Sequence, residues 1–127
     1  MIHTERTISV VSPLYKSERI VDELVRRLSE SLSKITDNYE IVLVEDGGGD
    51  KSWVKIEENC IKDKKIKGIK LSRNFGQHYA ITAGLNEASG DIIVIMDCDL
   101  QDDPEHIEKL FNEFKNGYDV VFTKRIG

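Results

Sequence analysis

Apolar residues follow two rhythms that alternate along the chain. Residues 7–12 (TISVVS) are a short β-branched run ended by Pro13, which predicts a strand. Ile20, Val21, Leu24, Val25, Leu28, Leu32 and Ile35 then recur at helical spacing, with Ser17 placed to cap the helix. Residues 39–44 (YEIVLV) read as a second strand, stopped by Glu45-Asp46-Gly47-Gly48-Gly49. Asp50 caps a helix with Trp53, Ile56 and Cys60 on one face, and residues 66–71 (IKGIKL) are a weaker third strand. Residues 77–88 form a helix rich in small side chains (Ala80, Ala83, Gly84, Ala88), suited to close packing on a sheet. Residues 92–96 (IIVIM) are apolar throughout, as expected of a central parallel strand buried on both faces. Asp103 caps and Pro104 opens a helix bearing Ile107, Leu110, Phe111 and Phe114, and residues 119–123 (DVVFT) are a fifth strand.

Strands alternating with helices predict an α/β fold, a Rossmann-like three-layer sandwich around a mostly parallel sheet with right-handed crossovers. Ligands of such sheets bind outside the carboxyl ends of the strands. The segments that follow the strands, SPLYKSE, EDGGGD, SRNFG and DCDLQDD, are therefore the places to look for chemistry.

Composition narrows the functional classes. With 127 residues, 39% hydrophobic and 32% charged, the chain suits one domain with a buried core. The longest apolar run, Ile92 to Met96, is far short of the ~20 residues of a membrane span. A net charge of −5 disfavours nucleic acid as a partner. The cluster Lys62, Lys64, Lys65, Lys67 and Lys70 reads as a solvated helix end and loop. Cys60 and Cys98 have no metal-type spacing and read as reduced thiols in a cytosolic setting. No apolar segment follows the charges of the amino terminus as a signal peptide requires. The chain ends just after a strand-like run with no closing helix, so residues 1–127 are expected to be one domain cut short at its carboxyl terminus.

The strongest chemical signal is Asp97-Cys98-Asp99-Leu100-Gln101-Asp102-Asp103. Four carboxylates in seven residues repel one another, and a hard divalent cation is the natural offset. Asp97 and Asp99 are assigned to that role, and Asp103 to helix capping. The glycine run after the second strand allows close backbone approach, but Asp50 stands where a phosphate-binding loop needs glycine before Lys51-Ser52. Carboxylates there suit a base N–H or a ribose hydroxyl better than a phosphate. Tyr15 and Glu18 could frame a base and ribose. Arg73 and Asn74 offer donors ahead of a helix N-terminus, while His78 reads as a surface or packing residue.

Four motifs in order, VVSPLYKSE, VLVEDGGGD, LSRNFGQHYAITAGL and ASGDIIVIMDCDLQDDPE, span nearly the whole chain. Together they resemble the nucleotide-binding half of family 2 inverting glycosyltransferases of GT-A fold, and most of all the polyprenyl-phosphate (dolichol-phosphate mannosyltransferase-like) enzymes. The chain departs from the family pattern at Lys16, Glu45 and Gly48, where Asn, Asp and Ser are usual. The resemblance implies that Pro13, Tyr15 and Glu18 line the nucleotide site and that Asp46 binds the base with Glu45 nearby. It implies that Arg73, Asn74 and Gln101 support the donor. Asp97 and Asp99 would form the catalytic DxD, with Asp99 the more direct ligand of Mg²⁺ or Mn²⁺.

The activity so implied is transfer of a hexose from a nucleotide diphosphate-sugar, with inversion, to an acceptor. A polyprenyl phosphate is preferred to a glycan acceptor, in keeping with cell-envelope biosynthesis. The metal would neutralise charge on the leaving diphosphate. A lipid phosphate is already anionic and needs orientation more than a general base. The 127 residues alone are expected to be cytoplasmic and inactive in transfer, and their parent to sit at the cytoplasmic face of the cell membrane. The alternatives are a non-catalytic nucleotide-sugar-binding domain and a receiver-type signalling domain. The latter would need an acid pair after the first strand, where this chain has SPLY.

Overall fold

In the computed structural model, residues 6–96 and the strand at 120–122 are described. The elements run β1 (Ile8–Leu14), α1 (Val21–Ser33), β2 (Tyr39–Glu45), α2 (Ser52–Lys62), β3 (Ile66–Lys70), α3 (Gln77–Glu87), β4 (Ile92–Ile95) and β5 (Val120–Phe122). The helix expected after Pro104 lies outside the described residues.

All five strands are parallel and lie in the order β3-β2-β1-β4-β5. Every residue of β1 is buried, because it is covered on both faces and paired on both sides. Ile8, Val10 and Leu14 join Ile41, Leu43, Ile92 and Val94 against α1 and α2. Val11, Val42, Val44 and Ile95 pack with Ala80 of α3 on the other face. These are the three layers anticipated from the alternating pattern. The chain steps outward from β1 to β2 to β3, then returns to the other side of β1 as β4. The reversal sets a topological switch point between β1 and β4, where sheets of this order bind ligands.

Two local expectations are revised. Strand β1 does not stop at Pro13 but continues through it, pairing Pro13 with Val44 and Leu14 with Glu45. The Val11 carbonyl accepts from Met96 and the Leu14 carbonyl from Asp46, so odd residues of β1 face β4 and even ones face β2. Pro13 thus presents its missing N–H toward β4, beyond the last described pair, Val11↔Ile95. No β1–β2 hydrogen bond is lost. Ser17 does not cap α1. Its hydroxyl donates to the Tyr15 carbonyl, its carbonyl closes a turn with Ile20, and α1 begins at Val21.

Close approach of α3 to the sheet depends on Gly84. A Cβ there would run into Val11 and lie 3.1 Å from Val44 Cγ2. At the amino-terminal end of the sheet, buried Glu40 gathers four segments. It accepts from the Ser9 hydroxyl, from the Ser89 amide at 2.6 Å and from the Ser89 hydroxyl at 3.2 Å, and it pairs with Lys67 at 2.7 Å. Ser9 in turn accepts from the Gly90 amide at 2.8 Å. Burial opposes ionisation of Glu40, but these donors outweigh it and bring its pKa down to about 2.

Candidate functional site

The turns after β1, β2 and β3 converge at the carboxyl end of the sheet because adjacent parallel strands end side by side. The Asp46 amide donates to Leu14 at 2.8 Å and the Leu71 amide to Glu45 at 2.9 Å, so each turn starts in register with its neighbour.

The turn after β2 is ordered by its own first carboxylate. Glu45 is buried, and its two oxygens accept from Gly47 at 3.0 Å and Gly48 at 2.7 Å. Gly47 needs its glycine twice over, for a φ of 67° and because a Cβ would strike the backbone of Arg73 and Asn74. Asp46, also buried, accepts the Phe75 amide on Oδ1 at 2.9 Å, so it ties SRNFG to EDGGG. Its Oδ2 has no hydrogen-bond partner among the described residues. Asp50 accepts from the Ser52 amide at 3.0 Å and the Glu18 amide at 3.4 Å. It therefore steadies the start of α2 from one position before the cap, which is Lys51 rather than the expected Asp50, and also reaches the turn after β1. Burial would raise its pKa, but the Ser52 hydroxyl and these amides hold it below the usual carboxylate range.

The turn after β1 is fastened to the same place. The Ser17 amide donates to the Ser52 hydroxyl at 2.8 Å. Pro13 is buried in the strand and Tyr15 is exposed. Lys16 has a φ of 52°, and its ammonium sits 5.4 Å from the Tyr15 ring centre.

After β3, Arg73 and Asn74 are both exposed. The Asn74 side chain accepts from the Gly76 amide at 2.9 Å, which shapes the entry to α3. The Arg73 guanidinium lies 4.8 Å from the Phe75 ring, and Phe75 stacks on Tyr79 with centroids 4.6 Å apart. His78 is exposed in the first turn of α3.

The structure thus brings Pro13, Tyr15, Glu18, Glu45, Asp46, Arg73 and Asn74 to one end of the sheet. Asp97, Asp99 and Gln101, which follow β4 in sequence, lie outside the described residues. Among the described residues no group of three His, Cys, Asp or Glu could hold a metal ion. The arrangement offers a buried carboxylate acceptor, an exposed aromatic ring and exposed cations at one end of the sheet. Those groups suit a base, a ribose and an anion. Sequence reasoning missed the structural work of Ser52, the Phe75–Tyr79 stack and the backbone of Lys16, since neither spacing nor polarity signals them.

Comparison with known proteins agrees with the architecture. Residues 9–127 match the glycosyl transferase family 2 model. The chain is 43% identical over 122 residues to the uncharacterized glycosyltransferase YkcC of Bacillus subtilis, covering 94% of this chain and 38% of that protein. It is 43% identical over 119 residues to the undecaprenyl-phosphate 4-deoxy-4-formamido-L-arabinose transferase of Proteus mirabilis, covering 93% and 36%. Among solved structures, the mannosyltransferase PcManGT from Pyrobaculum calidifontis, in complex with GDP-Man and Mn²⁺, matches with a TM-score of 0.68 at 20% identity. That match covers 76% of this chain and 28% of the other. The chain therefore spans less than two fifths of the length of these relatives. On these grounds the chain belongs to glycosyltransferase family 2 and carries the Rossmann-like half of the GT-A fold.

Proposed function

We propose that this chain is the donor-binding domain of a glycosyltransferase that moves a sugar from a nucleotide diphosphate-sugar to a polyprenyl phosphate, with inversion. The observation that carries the reading is the junction at Asp46. One oxygen of a buried carboxylate locks the turns after β2 and β3 together, while the other has no described partner and can accept a base N–H. Tyr15 supplies a face for the base, Glu18 a carboxylate for the ribose, and Arg73 with Asn74 donors for the donor sugar and its phosphates. Glu45 acts through the loop it holds, and Pro13 forms the floor of the site.

Asp99, with Asp97, would hold Mg²⁺ or Mn²⁺, with Gln101 close to the metal or the donor sugar. Carboxylate oxygens are the ligands such hard cations prefer, and the bound cation would neutralise charge on the leaving diphosphate. Support for a lipid phosphate comes from the undecaprenyl-phosphate transferase named above. Such an acceptor is anionic near neutral pH, so orientation counts for more than a general base. A lipid-phosphate acceptor would in turn place the parent protein at a membrane, at its cytoplasmic face in this reading. No helix among the described residues is long and apolar enough to cross one.

Calorimetry on the intact protein checks the reading. UDP or GDP should bind more tightly with Mn²⁺ or Mg²⁺ present, and Asp99→Ala should abolish the metal's contribution while leaving the melting temperature unchanged. Absence of binding by any nucleoside diphosphate, with or without metal, would overturn it. Transfer of sugar to undecaprenyl phosphate in detergent or vesicles tests the acceptor.

A further inference from the structure

Among the described residues, Lys16 is the sole non-glycine with positive φ, at 52°. That left-handed backbone is costly for a long L side chain and persists only where neighbours enforce it. Here they do. Immediately after Lys16, the Ser17 amide is held by the Ser52 hydroxyl at 2.8 Å and the Glu18 amide by Asp50 at 3.4 Å. Beneath it lies Gly48, where a Cβ would come within 2.9 Å of the Lys16 amide nitrogen and 3.1 Å of its Cγ. The turn after β2 thus leaves a seat in which Lys16 rests. Its side chain is exposed and makes no ion pair with any described residue. A strained cation, with the Tyr15 ring 5.4 Å from its ammonium and no carboxylate partner among the described residues, stands beside the switch point of the sheet. Strain of this kind gathers at ligand clamps.

We infer that Lys16 is a donor-binding residue whose ammonium, set by the left-handed backbone above Gly48, donates a hydrogen bond to an acceptor oxygen of the bound nucleotide. This rests on the nucleotide-sugar reading above and adds to it a contact that selects the donor. The oxygen belongs either to the base and ribose or to the diphosphate, and the two sources separate experimentally.

The test is calorimetry on the intact protein with uridine, guanosine, UDP and GDP. In Lys16→Ala, affinity should fall about fivefold, the scale of one exposed charge-assisted hydrogen bond. An equal loss for nucleoside and diphosphate places the oxygen on base or ribose, and a loss confined to the diphosphate places it there. Lys16→Gly should lose the same affinity yet melt higher, because glycine relieves the strain, an outcome that a merely structural lysine would not give. Gly48→Ala should weaken binding by displacing Lys16. Unchanged affinity in both Lys16 variants, with the unaltered protein binding UDP or GDP, would overturn this inference and leave the nucleotide reading standing. No binding by the unaltered protein would overturn both.

Discussion

Glu45 and Asp46 are adjacent carboxylates that read alike in the sequence and do different work. Glu45 spends both oxygens on Gly47 and Gly48, whereas Asp46 spends one on Phe75. Nothing in residue type separates the two roles. They follow from position: Glu45 ends β2 under the glycine turn, while Asp46 begins that turn beside the segment that follows β3. Replacing Glu45 with Gln should therefore cost about 1–3 kcal/mol, since a buried amide NH₂ would face a half-buried backbone N–H. Urea denaturation measures that loss. Hydrogen exchange should locate it at Gly47 and Gly48, and unchanged protection there would contradict the assigned bonds. Lys16 was equally illegible in the sequence, because a positive φ outside glycine leaves no compositional trace.

At the scale of elements most of the fold could be read in advance. Strands β1, β2 and β4 and helix α1 carry clear apolar patterns that burial follows, whereas β3, α2 and α3 bury only one or two residues each. The errors fall at the ends. Pro13 was read as a strand stop, a general tendency that does not hold here because the missing N–H faces β4 beyond the last described pair and leaves the β1–β2 pairing intact. Ser17 looked like a cap but belongs to a turn held by Ser52. The small-residue character of α3 was visible, yet only the structure shows why Gly84 matters more than Ala83. Gly84→Ala gains about 1 kcal/mol in helix propensity but drives a methyl into Val11 and Val44. Both valines are fully buried and stiff, so overpacking, typically about 1–3 kcal/mol, should prevail or cancel the gain. Thermal denaturation should show no stabilisation, and a clear rise in melting temperature would mean that α3 rides higher on the sheet than described.

Across the whole molecule the two ends of the sheet have separate duties. The carboxyl end carries the candidate site, and the amino end carries the Glu40 clamp, which joins β1, β2, β3 and the turn before β4. Its pKa of about 2 lies below the ordinary 4.5, so the folded state favours the ionised form. The stabilisation is complete above the unfolded value and is lost as pH falls from 4.5 toward 2. At pH 3 the loss should reach about 2 kcal/mol relative to neutral pH, and Glu40→Gln should remove that share of the acid sensitivity. Urea midpoints at pH 3 and 7 for both proteins provide the check, and parallel pH curves would refute it. The general location of the site was also legible, because a parallel sheet binds ligands at its carboxyl edge whatever the residues there. Which oxygen meets which donor was not, since that depends on turns whose geometry is set by neighbouring strands. Pro13 adds a last consequence. In the observed register, an N–H at position 13 would reach the Met96 carbonyl and carry the β1–β4 ladder one rung further. A pyrrolidine ring cannot supply that rung. The limit of the β1–β4 ladder on this side is thereby written into the covalent chain.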